Sequence, residues 1–101
     1  MAEGSVISKR LKQARIRADL SQKQLGIKAG IDEFSASARI NQYERGKHTP
    51  DFSTVERLAK VLKVPTPFFY CRDDELAEWI LAHKQIPKTQ RQTILTRFKP
   101  N

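Results

Sequence analysis

Apolar residues recur at helical spacing along most of this chain, and no stretch alternates as a strand does. Ile7, Leu11, Ala14 and Ala18 define the inner face of a first predicted helix, Val6 to Ala18, with Ser5 as its N-cap. Lys9, Arg10, Lys12 and Arg17 spread around the rest of it as a solvated face, with some charge in reach of phosphates. A second, short helix follows from Gln22 to Ala29. Ser21 caps it, Gln24 completes the capping-box spacing, Leu25 faces inward and Gly30 is the stop signal. Gly26 lies inside that helix, where glycine costs about 1 kcal/mol relative to alanine. Close approach of the next helix is the reason expected for it.

A polar connection, Ile31 to Ser35, leads to a third predicted helix from Ala36 to Arg45. Ala36, Ile40 and Tyr43 point inward, which leaves Ser37, Ala38, Asn41 and Gln42 on the outer side. Gly46 ends this helix, and Lys47-His48-Thr49-Pro50 forms a basic loop. The cleanest amphipathic stripe belongs to a fourth helix, Phe52 to Leu62, capped by Asp51 and built on Phe52, Val55, Leu58, Ala59 and Leu62. Pro65 and Pro67 break the pattern. Phe68 and Phe69 then start a short apolar turn or fifth helix that closes the bottom of the core. Asp73 or Asp74 caps a sixth helix to about Lys84, carrying Leu76, Trp79 and Ile80. Pro87 opens a seventh, to about Phe98, carrying Ile94, Leu95 and Phe98. The chain therefore reads as all-α.

Bulk properties narrow the partner. A chain of 101 residues with 39 % apolar content suits one domain with a modest core. A net charge of +8 favours a polyanionic partner. Most of that charge lies early: residues 1–64 carry 13 Lys/Arg against 7 Asp/Glu, and residues 65–101 carry 6 against 4. Cys71 is the single cysteine, so no intrachain disulfide and no cysteine-based metal cluster is available; it is expected to pack as a small apolar residue. No apolar run is long enough to span a bilayer, and the N-terminus lacks the apolar core of a signal peptide. A cytoplasmic setting without membrane contact is the expectation.

Leu20-Ser21-Gln22, Leu25, Gly30, Ile40, Tyr43-Glu44, Gly46, Pro50, Leu58-Ala59 and Leu62 occur here in a fixed order, with amphipathic helices on both sides. This set resembles the helix-turn-helix domain of phage repressor and Cro proteins, the xenobiotic-response-element family, over about residues 6–70. The resemblance implies a lambda-repressor-like five-helix bundle, here followed by two short C-terminal helices. The second and third helices would form the motif, with the third entering the major groove of DNA. It also pairs Arg15 of the first helix with Glu44 as structural support. Two departures stand out. The family has alanine where this chain has Gly26. Its spacing from the turn glycine to the inward aliphatic is about six residues, whereas Gly30 to Ile40 is ten. The four added residues fall within Asp32–Ala38. They bring Asp32 and Glu33 near an expected phosphate path, so either the loop bends away or the third helix gains an N-terminal turn.

Phosphate contacts position such a protein and a few side chains read bases. Candidate base readers are Ser37, Ala38, Asn41, Gln42 and Arg39. Asn and Gln can pair bidentately with adenine, Ala can touch a thymine methyl, and Arg39 could reach guanine or a phosphate. Candidate phosphate contacts are Gln22, Arg45, Lys47, His48 and the backbone N–H groups near Phe52. His48 and His83 are too isolated to suggest a metal site. Trp79, Phe68 and Phe69 are expected in the core. Asp73-Asp74-Glu75 complements the dipole of the helix it starts.

The expected organisation is a flexible N-terminus (1–5), a helix-turn-helix domain (6–71) and a C-terminal helical extension (72–101) that supports dimerisation or caps the core. One recognition helix reads too few base pairs to select a genomic site, so a homodimer on a near-palindromic site is expected. The leading reading is a sequence-specific regulator of transcription, a repressor, on double-stranded DNA and without a cofactor. The competing reading is an antitoxin-type DNA-binding protein that also engages a protein partner. No nucleophile–base pair or phosphate-cradling glycine loop is visible, which argues against an enzyme. Stacking aromatics interleaved with basic residues, as single-strand RNA binding would require, are also missing.

Overall fold

The computed structural model describes residues 4–99, with side chains from Val6 onward. The described residues form α1 (Gly4–Arg17), α2 (Gln22–Lys28), α3 (Glu33–Glu44), α4 (Phe52–Leu62), a 3-10 turn (Thr66–Tyr70), α5 (Asp74–Ala82), a second 3-10 turn (His83–Gln85) and α6 (Lys88–Arg97). There is no strand among them, and no helix is long and apolar enough to cross a membrane.

The first four helices and the Thr66–Tyr70 turn share one core. Leu11 of α1, Leu25 of α2, Ile40 of α3, Val55 and Leu58 of α4, and Phe68 and Phe69 of the turn are all buried. The two phenyl rings meet edge to face, centroids 5.6 Å apart and planes at 79°. Ser21 closes a full capping box on α2: its Oγ accepts from Gln24 N–H (3.0 Å), and its own N–H donates to Gln24 Oε1 (2.8 Å). Gly30, at φ +89°, takes the left-handed turn that ends this helix. Gly26 has the reason expected of it. A Cβ built there would stand 2.7 Å from the Ala36 Cβ and 3.0 Å from the Ala36 Cα, so α2 and α3 approach to a distance only glycine permits.

Several boundaries and burials differ from the sequence expectation. The α1 helix begins at Gly4, so Ser5 lies within it and the cap position falls outside the described residues; Ala18 follows the helix and is exposed. The α3 helix begins at Glu33, three residues before Ala36, because Asp32 is a competent N-cap: its Oδ2 accepts from Phe34 N–H at 3.1 Å. Glu33 in the first turn also complements the helix dipole. The added residues are thus wound into an extra helical turn. The Phe52 ring is exposed rather than part of the buried stripe, because it sits at the first position of α4, where it stacks on Tyr70 at 6.4 Å. Arg10 is not on a solvated face but 3 % exposed. It donates to the carbonyls of Cys71 (2.8 Å) and Arg72 (3.1 Å), and its guanidinium carbon lies 5.6 Å from the centroid of the Phe68 ring. The chain leaving the 3-10 turn exposes carbonyls that need donors, and Arg10 supplies them.

The C-terminal segment departs most. The α5 helix ends at Ala82 instead of Lys84, and Pro87 precedes the first turn of α6, its ψ of 145° being extended rather than helical. Trp79 is 54 % exposed rather than in the core. Leu76, Ile94, Leu95 and Phe98 are exposed too, and α6 has no buried residue. Ala77 alone in α5 is fully buried, while Ile80 and the adjoining Leu81 pack partly against the core. Ion pairs tie α5 to α1: Lys9 and Arg10 each lie 3.0 Å from Asp74, and Arg17 lies 2.9 Å from Glu78.

Candidate nucleic-acid interface

Helix α3 has two faces with different fates. Ala36, Ile40 and Tyr43 are buried, whereas Phe34, Ser37, Ala38 and Arg39 are exposed and Asn41 and Gln42 half-buried. Positions 37 and 38 lie three and four residues after 34, 41 lies four and three after those, and 45 four after 41, so they line one outward face. With 12 residues, α3 is about 18 Å long.

A hydrogen-bonded network sets the rotation of that face. Arg15 of α1 grips Glu44 with two parallel bonds, Nε to Oε2 at 2.6 Å and Nη2 to Oε1 at 3.0 Å. Its remaining nitrogen donates to the Leu20 carbonyl at 3.0 Å. The Glu44 side chain is 4 % exposed. Hydrogen bonding to Glu44 raises the Arg15 guanidinium above its ordinary pKa despite the opposing effect of burial. Gln22, at the start of α2, closes the network: its Nε2 donates to Glu44 Oε1 (3.1 Å) and Asn41 Oδ1 (3.3 Å). On the opposite side, buried Ser8 Oγ donates to the Tyr43 carbonyl at 2.7 Å. The three helices α1, α2 and α3 are therefore held together by their polar groups as well as their apolar ones.

The structure brings the proposed base-reading positions onto one helix. Ser37, Ala38 and Arg39 stand clear of the protein, and Asn41 lies beside Gln22. Arg45, Lys47 and His48 are exposed at the end of α3, where the Lys47 and His48 N–H groups both donate to the Gln42 carbonyl. Two phosphate candidates have company the sequence did not reveal. The side-chain amide of Gln22 is engaged within the protein, which leaves its backbone N–H for a phosphate. Beside Phe52, Asp51 accepts from Thr54 N–H (2.8 Å) and Ser53 Oγ (3.1 Å). Hydrogen bonds from Thr54 and Ser53 hold its carboxyl below the ordinary carboxylate range. An ionised carboxylate therefore shares that helix end with the Phe52 N–H.

Phe34 was missed at the sequence level. It is 94 % exposed on the outward face of α3, within the added turn. Counting back three and four residues from Ser37 and Ala38, with Asp32 as the cap, would have found it. Arg57 was missed as well: it ties α4 to the end of α2 by donating to the Ala29 carbonyl at 3.1 Å.

Two short helices joined by a glycine turn, the second buried on one side and polar on the other, define a helix-turn-helix domain. Residues 11–69 match the sequence model of the helix-turn-helix family, and the chain belongs to that family, in its repressor and Cro-like, xenobiotic-response-element type. It is also similar to a solved structure described as the crystal structure of transcriptional regulator BswR, with 56 % identity and a TM-score of 0.81 over 90 % of this chain and 89 % of that one. A comparison with curated protein sequences finds no match.

Proposed function

We propose that this chain is a DNA-binding regulator of transcription that reads double-stranded DNA as a homodimer, with α3 in the major groove, and represses the promoter it covers. The observation that carries the reading is the division of α3: Ala36, Ile40 and Tyr43 are committed to the core, and the opposite side carries exposed Ser37, Ala38 and Arg39 with Asn41 half-buried beside them. The bidentate Arg15–Glu44 pair fixes the rotation of the helix, which base reading requires. Similarity to a transcriptional regulator supports the same reading. Among the reading residues, Asn41 is suited to adenine, Ala38 to a thymine methyl, and Ser37, Gln42 and Arg39 to flanking edges. The backbone N–H of Gln22, the side chains of Arg45, Lys47 and His48, and the N–H of Phe52 hold phosphates on either side.

The dimer is assigned to the C-terminal extension, residues 72–101. Its exposed residues Leu76, Trp79, Leu95 and Phe98 offer apolar surface. Between α5 and α6 lies an open groove of about 400 Å³ lined by Trp79, Ile86, Ile94 and Leu95 among others. A second copy would bury this surface and set two α3 helices about one turn of DNA apart.

Selection of bound sequences from randomised duplex DNA tests the reading. Enrichment of a near-palindromic pair of half-sites is expected. Failure to enrich any sequence would refute base reading, and enrichment of a single half-site would refute the dimer. For the regulatory sign, loss of the gene should raise transcription from the bound promoter; a fall would make the protein an activator.

A further inference from the structure

The outward face of α3 starts one turn earlier than the positions assigned to base reading. Phe34 stands three and four residues before Ser37 and Ala38 and seven before Asn41, so its ring continues the same row. At 94 % exposure it receives almost no cover from this chain. Its carboxylate neighbours make it stranger. Asp32 caps the helix and Glu33 follows, both exposed, so the tip of α3 is acidic as well as aromatic.

We propose that Phe34 is a specificity-determining residue that packs its ring against a pyrimidine C5-methyl group in the major groove. The inference rests on the reading of α3 as the groove-entering helix. Given that reading, the chemistry narrows quickly. The added turn is the N-terminal end of α3, the end from which a recognition helix contacts base edges, so in this reading Phe34 is presented to those edges. The edges in the major groove offer hydrogen-bond donors, acceptors and one apolar group, the C5-methyl. A phenyl ring cannot hydrogen-bond as those edges require, and the methyl is the only base-edge group it complements. Apolar wedges that intercalate work from the minor groove, where α3 does not lie in this reading. Ala38, one turn further along the same row, extends the apolar strip. Duplex DNA carries the methyl on thymine and on 5-methylcytosine; the assigned chemistry is common to both.

The test uses the full chain and the duplex obtained by selection. Wild-type and Phe34→Ala proteins are titrated against that duplex, against versions with each thymine in turn replaced by deoxyuridine, and against versions with each cytosine methylated at C5. If thymine is the source, removing one particular methyl weakens wild-type binding about three- to tenfold, the factor that burying one methyl group is worth. The same change leaves Phe34→Ala binding unaltered. If 5-methylcytosine is the source, methylation at one position strengthens wild-type binding by a similar factor and leaves the variant unchanged. Equal responses of both proteins to every base change would overturn the proposal. So would insensitivity of wild-type binding to all of them, an arm that needs no variant. Loss of oligomeric mass in Phe34→Ala, with base responses like wild type, would assign the ring to a second copy and also overturn it. Failure of selection to yield any preferred duplex is a separate result, and refutes the reading of α3 itself.

Discussion

Helices α4 and α6 are nearly the same length, eleven and ten residues, yet one is built into the core and the other stands outside it. Along α4, Leu58 and Ala59 lie three and four residues after Val55, Leu62 lies four and three after them, and all four are buried. This stripe runs the length of the helix, so burying it against α2 and the Phe68-Phe69 turn stabilises every turn. Helix α6 begins Lys88-Thr89-Gln90-Arg91-Gln92-Thr93 and becomes apolar only at Ile94 and Leu95, with Phe98 just beyond its end. A helix this short is marginal on its own. The contrast teaches that apolar content is not enough; its spacing decides whether a helix can be held by its own chain. The six residues before Ile94 give α6 nothing to bury, and its apolar end stays exposed.

The largest effect expected from this contrast lies in the motif half. Glu44→Ala strands the Arg15 guanidinium in a largely buried position and should cost about 3–5 kcal/mol in denaturant unfolding, because the remaining charge loses its partner. A loss below about 1 kcal/mol, the range of exposed ion pairs, would show that the pair is not part of the structural frame. Next in size, Leu58→Ala should cost about 2–5 kcal/mol, whereas Leu95→Ala in α6 should stay within about 0.5 kcal/mol at protein concentrations too low for assembly. Equal costs would erase the distinction between the two helices.

The smallest effect concerns the joint between the halves. Hydrogen bonds from Lys9 and then Arg10 hold the Asp74 carboxyl below its ordinary range. A depressed carboxyl contributes stability that is present above the unfolded value and is lost as pH falls through the folded one. The docking of α5 on α1 should therefore loosen on acidification below about pH 4, the ordinary aspartate range. Amide exchange in α5 reports this. Asp74→Asn should lower α5 protection at neutral pH and weaken its acid dependence, and an unchanged profile would break the assignment.

The sequence made the motif legible because its signals are local and mutually consistent. Ser21 and Gln24 announce a capping box, Gly30 a stop, and the Ile40–Tyr43 pair an inward face, all of which the structure contains. Gly26 was legible as a close approach, though not that the contact would be the Ala36 Cβ. The start of α3 was open because Asp32 reads equally as loop or cap, and only the fold decides. Arg10 was misread since nothing local says that the carbonyls of residues 71 and 72 will arrive above it. Trp79 was misplaced for a related reason. Its size favours burial, but a large residue on α5 can be covered only if some element lies over it, and α6 does not. Within the interface, residue types and spacing indicated Ser37, Ala38, Arg39 and Asn41 as a group, while the bonds from Gln22 to Asn41 and Glu44 depend on a packing distance no pattern encodes.

Two substitutions divide the interface into reading and holding. Lys47→Ala should weaken preferred and unrelated duplexes alike and reduce the slope of log affinity against log salt by about one. The most direct test of the central claim, that the outward side of α3 reads bases, is the affinity of Asn41→Ala for a preferred duplex and for an unrelated one under the same salt. The account predicts a loss on the preferred duplex of about 5- to 150-fold, the worth of a bidentate base contact, with little change on the unrelated one. An equal loss on both duplexes, or none on either, would contradict it.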